Sequence, residues 1–191
     1  MVERFLTTGD IADYCQVSRV TVFQWIKKQQ LPAFSTPGGH YRVKLSDFRN
    51  FLEKYGMPVD PAFFNQYKER ILIVDDDQQV VDFIIRALGE GEEGEMRELE
   101  TAADGFEAGL KIASFKPHLI VLDLMMPGLD GFKVCEQVKS DPETEHIKIL
   151  IVTAYGSEEN IERVLQLGAD DYLIKPLDVE ELRKRVRKLL S

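Results

Sequence analysis

Three consecutive carboxylates, Asp75-Asp76-Asp77, follow directly on the apolar run Ile71-Leu72-Ile73-Val74. Like charges at that density repel one another, and the arrangement is costly unless a cation sits among them. Two further apolar runs end in one functional group each: Leu119–Leu122 in Asp123, and Ile149–Val152 in Thr153. A fourth, Tyr172-Leu173-Ile174, runs into Lys175-Pro176. Such short runs, rich in β-branched and aliphatic residues, read as strands buried on both faces of a parallel sheet. The C-terminal ends of parallel strands open into one crevice, where such sheets bind ligands. An acid cluster, an isolated Asp, a hydroxyl and a Lys then meet at one point, a set suited to handling a phosphoryl group.

The elements that position these groups alternate strictly. Val80, Val81, Ile84, Ile85 and Leu88 recur at helical spacing, and Gly89 stops that helix. Residues 97–102 form a more polar strand suited to a sheet edge. Helices follow over 104–115, 131–140, 157–167 with Ser157 as N-cap, and from Asp178 to Leu190. Asp130 shapes the turn into the helix at Gly131, and Cys135 packs inside it. Gly89 to Glu95 is an acidic, solvated loop. The pattern predicts an α/β fold, a doubly wound five-stranded parallel sheet with right-handed crossovers. No Gly-rich phosphate loop follows the first strand, so acid stands where a nucleotide binder needs glycine.

VDDD, VLDLMMPGLDG, IVTAYG and YLIKP, in this order and spacing, resemble the receiver domain of two-component response regulators. The resemblance spans the C-terminal module and implies strand order 2-1-3-4-5. It implies that Asp123 is the phospho-acceptor, a carboxylate nucleophile toward the phosphohistidine of a sensor histidine kinase or phosphotransfer protein. It further implies Mg2+ held directly by Asp76, Asp123 and the Met125 backbone carbonyl, with Asp75 acting through water. Asp77 receives no metal role. Lys175 supplies a cation for the phosphoryl oxygens, Pro176 follows a cis bond, and Thr153 with Tyr172 forms the switch. The resemblance also places Met125 and Tyr155 at the mouth of the site. Neither is a water-positioning group, so a long-lived phosphoryl group is expected. No turnover enzyme is implied, only self-catalysed phosphoryl transfer and slow autodephosphorylation. Haloacid-dehalogenase-like phosphatases, the enzymatic rival, need a second acid two residues after the nucleophile, where Met125 stands.

Ahead of this module, Thr7 with Asp10 makes a capping-box start for a short helix to Cys15. After Gln16-Val17, Ser18 caps a second helix running to about Lys28, which together make a helix-turn-helix. Val22, Trp25, Ile26 and Val17 form its inner face, and Arg19, Val20, Phe23, Gln24 and Lys27 the opposite arc. Extended segments around Thr36-Pro37-Gly38-Gly39-His40 predict a hairpin, a wing carrying His40, Arg42 and Lys44 at or near its tip. Ser46 is expected to cap a third helix, Asp47 to Tyr55, closing a core around Trp25. TTGDIADYCQVSRVTVFQWI, LPAFSTPGGHYRV and DFRNFL together resemble the winged helix-turn-helix of the MerR and excisionase group. The resemblance implies promoter DNA as a partner, with Arg19, Gln24, Lys27, Lys28, His40 and Arg42 as its contacts.

Charge supports two modules with different partners. Residues 1–56 carry eight Lys/Arg against five Asp/Glu, whereas residues 57–191 carry sixteen against twenty-eight. A basic module suits nucleic acid and an acidic one does not. Cys15 and Cys135 lack metal-ligand spacing and read as reduced thiols. No apolar run approaches the roughly 20 residues of a membrane span, so a cytoplasmic location is expected. The expected domains are a winged helix-turn-helix at 1–56, a linker at 57–69 and a receiver at 70–191. Within the linker, Asp60-Pro61 caps a short helix through Lys68, and Phe63, Phe64 and Tyr67 pack beneath one domain. The resulting reading is a DNA-binding response regulator, with phosphorylation-dependent receiver homodimers as its mode of coupling. The rival is an architectural, excisionase-like protein whose receiver makes only protein contacts.

Overall fold

The computed structural model describes residues 5–90, 97–126 and 129–190, with Leu129 described in its backbone only. The acidic loop expected after Gly89 therefore falls largely outside the described residues, as does Pro127-Gly128. The chain forms two compact units, one ending at Tyr67 and the other beginning at Lys68.

In the first unit, β1 (Phe5–Thr7), β3 (Tyr41–Lys44) and β2 (Phe34–Ser35) make an antiparallel sheet in the order β1-β3-β2. Two helices, α1 (Thr8–Cys15) and α2 (Arg19–Lys27), precede the hairpin. The capping box is present: Asp10 N donates to Thr7 Oγ1 at 3.2 Å, and Thr7 N donates to the Asp10 carboxylate at 2.8 Å. Gln16 takes a left-handed conformation at φ 53° to end α1, and Ser18 Oγ accepts from Thr21 N to start α2. Ile11, Val22, Leu31, Phe48 and Leu52 are fully buried.

Three expectations are corrected here. The core centres on Phe48 rather than Trp25, which is half-buried and tilts against Phe51 at 5.0 Å between ring centroids. Helix α3 runs Leu45–Lys54 and has no side-chain cap. Leu45 must enter the core, so β3 passes straight into the helix and Ser46 falls inside the first turn. Lys44 stands opposite Phe5 at the far end of the hairpin from its Thr36–His40 turn, away from the tip.

The segment after α3 belongs to this unit. Asp60 caps α4 (Pro61–Asn65), which ends before Lys68 because β4 begins at Glu69. Phe64 is buried and stacks on Phe48 at 6.1 Å, while Phe63 meets Tyr14 edge-on at 4.6 Å. The Tyr14 hydroxyl donates to Pro58 O at 3.0 Å and accepts from Asp60 N at 2.7 Å.

The second unit is built on a five-stranded parallel sheet of β4 (Glu69–Val74), β5 (Arg97–Ala102), β6 (Leu119–Leu122), β9 (Lys148–Thr153) and β10 (Asp171–Ile174). Their order, β5-β4-β6-β9-β10, is the expected 2-1-3-4-5 arrangement. Alternate strand residues feed two cores. Ile71, Ile73, Val121 and Val152 pack with α5 (Gln78–Gly89) and α9 (Val179–Leu189) on one face. Leu72, Val74, Ile120 and Ile151 pack with α6 (Gly105–Phe115), α7 (Gly131–Ser140) and α8 (Glu158–Gln166) on the other. Each fully buried Ile or Leu contributes about 1.5–3 kcal/mol relative to exposure, which explains why both faces had to be apolar. A two-stranded ribbon, β7 (Met125–Met126) with β8 (Leu129–Asp130), was not foreseen and leads into α7, whose N-cap is Asp130.

Candidate functional site

The acid cluster sits at the C-terminal ends of β4 and β6. Hydrogen bonds running along the parallel ladder, including Asp123 N to Val74 O at 2.9 Å, hold the two strand ends level. Asp75 and Asp123 are buried, Asp76 is exposed, and one oxygen from each of the three lies within 4.8 Å of the others.

Lys175 reaches this cluster from the end of β10. Its Nζ donates to Asp75 Oδ2 at 2.7 Å and to Asp123 Oδ2 at 2.8 Å. Burial raises the Asp75 pKa and outweighs the opposing pull of Lys175 and the Asp77 amide, leaving it above the ordinary value. Burial opposes the charged form of Lys175, yet hydrogen bonds to Asp123 and Asp75 prevail and raise its pKa. The ammonium thus stays charged while compensating two carboxylates. The peptide between Lys175 and Pro176 is cis.

The three acids after Val74 divide their work. Asp75 is engaged at both oxygens, Oδ1 accepting from Asp77 N at 2.9 Å and Oδ2 from Lys175. Asp77 caps α5, its carboxylate accepting from Gln79 N at 2.9 Å. Asp76 is exposed and, unlike Asp77, brings a carboxylate oxygen into the cluster with Asp75 and Asp123. Thr153 is fully buried at the end of β9, and its Oγ1 accepts from Tyr155 N at 3.1 Å. Tyr172 lies on β10 opposite Ile151, with its ring partly exposed. Met125 N donates to Asp123 Oδ1 at 3.2 Å, and the side chains of Met125 and Tyr155 are both exposed.

One site residue carried no expected role. A Cβ at Gly131 would lie 2.5 Å from the Asp123 carbonyl oxygen and 2.7 Å from Leu124 Cα. Glycine there lets the start of α7 touch the acceptor segment. A glycine opening a helix just after Asp130 was the available signal.

In the first unit, Arg19, Gln24, Lys27, Lys28 and His40 are exposed and Arg42 is half-buried. Val20 and Phe23 are exposed on the same arc of α2, and Lys27 Nζ lies over the Phe23 ring at 5.3 Å. The structure gathers three of the six candidates, Arg19, His40 and Arg42, around one cleft of about 310 Å³. Gln24, Lys27 and Lys28 lie further along α2 and do not line it.

Comparison with known proteins follows this division. The response regulator receiver domain profile matches residues 71–187, and a helix-turn-helix domain profile matches residues 5–56. The DNA-binding dual master transcriptional regulator RpaA of Synechocystis is 41% identical over 121 residues, covering 63% of this chain and 48% of that protein. Response regulator MprA of Mycobacterium avium is 45% identical over 121 residues, covering 63% of this chain and 50% of its own. The chain thus spans about half the length of these relatives. Among solved structures, the signal receiver domain of a DNA-binding response regulator from Colwellia psychrerythraea superposes with a TM-score of 0.60 at 33% identity. That match covers 63% of this chain and 97% of the other.

Proposed function

This chain belongs to the response regulator receiver domain family, and from that premise we propose that it is a DNA-binding response regulator of a two-component phosphorelay. The observation that carries the reading is the carboxylate cluster of Asp75, Asp76 and Asp123 with Lys175 bridging two of its members. A buried Asp at a strand end, beside a lysine and further acids, is poised to receive an anionic phosphoryl group rather than to cap a turn.

In the proposed step, an Asp123 carboxylate oxygen attacks the phosphorus of a phosphohistidine. The P–O bond to Asp123 forms as the P–N bond breaks, and the imidazole leaves with the electron pair. Lys175 stays charged beside the incoming oxygens, and the Thr153 hydroxyl donates to one of them. The donor set fits a hard divalent cation: Asp76 and Asp123 would hold Mg2+ directly with the Met125 carbonyl, and Asp75, already engaged at both oxygens, would act through water. When bound, Mg2+ neutralises charge on the transferring group. Later attack by water returns the carboxylate, so the chain is a phosphorylated switch and not a turnover enzyme. Thr153 and Tyr172 carry the change to the face of α8, β10 and α9, where phosphorylated receivers pair as homodimers.

The first unit is the output module, a winged helix-turn-helix of MerR or excisionase type, with α2 in the major groove and the β2–β3 hairpin as its wing. Promoter DNA and a sensor histidine kinase or phosphotransfer protein are the partners. Among the described residues no helix is long and apolar enough to cross a membrane, in keeping with work in the cytoplasm. The test is duplex binding by the full chain with and without a small phosphodonor and Mg2+, at stated salt. Phosphodonor-dependent binding that Asp123→Asn abolishes supports the reading; binding indifferent to both makes the protein architectural.

A further inference from the structure

The cleft of the first unit is lined by Thr7, Thr8, Gly9, Arg19, His40 and Arg42, and none of its lining residues is acidic. It joins elements distant in sequence: the start of α1, the start of α2, and the hairpin. Two arginines and a histidine line one concavity, and arginine cations gather at a cost unless an anion lies between them.

The position of Arg19 is the informative detail. It occupies the first position of α2. Yet a Cβ placed at Gly9 would lie 3.2 Å from its Nη2 and 3.4 Å from its Cζ. The guanidinium is therefore folded back over the first turn of α1 rather than extended along the outer arc of α2. The Arg42 guanidinium is tethered as well, its Nη1 donating to Tyr41 O at 3.0 Å, and Arg42 pairs in register with Thr7. Thr8 and Gly9, the first two residues of α1, line the same cleft, while the Asp10 amide is taken up by the capping box. Planar guanidinium groups match phosphate oxygens in a bidentate fashion.

Resting on the DNA-binding reading above, we propose that this cleft seats one backbone phosphate of duplex DNA, so that Arg19 sets the register of the protein on the duplex and reads no base. Sequence discrimination then falls to the exposed outer arc of α2, where Gln24 and Lys27 stand. His40 and Arg42 share the same phosphate with Arg19 and so couple the hairpin to the start of α2.

The test is equilibrium binding of the full chain, with a small phosphodonor and Mg2+ present, to two mixed-sequence duplexes of unrelated sequence, across a salt series. Arg19→Gln and Arg42→Gln should each weaken binding roughly tenfold, equally on both duplexes. The double variant should lose less than the product of the two, because both side chains hold one phosphate. Its log K against log salt slope should be shallower by about one. Losses that multiply, or that differ between duplexes, would overturn the proposal. His40→Gln at the exposed turn gives a second coupling, with Arg19 should Arg42→Gln fold poorly and with Arg42 should Arg19→Gln do so. If the unsubstituted chain binds neither duplex at low salt under these conditions, the DNA-binding reading falls and takes the proposal with it. If it binds and the variants bind as well as it does, only the phosphate cleft falls.

Discussion

With its ammonium 2.7 Å from Asp75 and 2.8 Å from Asp123, Lys175 compensates two buried acids far from it in sequence. Truncating it to Ala leaves both uncompensated, and breaking such a buried arrangement costs about 3 kcal/mol. Urea unfolding of Lys175→Ala should show that loss, and labelling by a small phosphodonor should slow at least tenfold. Magnesium should raise the Tm of the unmodified chain by binding the folded form, and a chelator should reverse it. In Asp76→Asn the Tm should respond weakly, whereas an undiminished response would remove Asp76 from the ligand set. At the mouth, Met125 and Tyr155 are 50% and 56% exposed and offer neither a carboxylate nor an amide to orient water. The acyl phosphate should therefore persist for minutes or longer in a decay assay, and loss within seconds would refute this.

The loops and caps that hold these residues carry their own consequences. Gly131→Ala would drive a methyl into the Asp123 carbonyl, an overpacking that costs about 1–3 kcal/mol, measurable in the same unfolding assay. Before β10, Asp170 accepts from Lys139 and Lys148 and from Ile149 N. Burial pushes its pKa upward, but these partners outweigh burial and hold it below 3.8. A depressed folded value means stability that is present above 3.8 and lost as pH falls through the folded pKa. Asp170→Asn should thus be about 2–3 kcal/mol less stable at neutral pH, with the gap closing in acid; a gap constant with pH would contradict this. The strands β4, β6 and β9 were legible because burial on both faces leaves an uninterrupted apolar run. Caps at Thr7, Ser18 and Ser157 were legible because they are local hydrogen bonds. The start of α3 was not: Ser46 is the better cap by type, but burial of Leu45 decides. Nor does sequence say which aromatic is central, since the choice between Phe48 and Trp25 is made by the neighbours each meets in the folded unit. The cleft that gathers Arg19, His40 and Arg42 depends on contacts between distant elements, and spacing carries no trace of it.

Across the whole molecule, charge and packing divide the chain differently. By charge, residues 57–74 are neutral, with two Lys/Arg against two Asp/Glu, and the acidic stretch begins only at Asp75. The helix-turn-helix match ends at Gly56. Packing draws the border eleven residues later, because Tyr14, Phe48, Phe63 and Phe64 bind the segment after Gly56 to the first unit. That aromatic clasp decides how the protein can be taken apart. A fragment cut after Gly56 uncovers one side of Phe48 and leaves the Tyr14 hydroxyl without Pro58 and Asp60. One cut after Tyr67 keeps both, and should melt several degrees higher in a circular dichroism scan. The part that can be grafted onto another receiver and still stand alone therefore begins before the first strand and ends at Tyr67, not where sequence similarity stops.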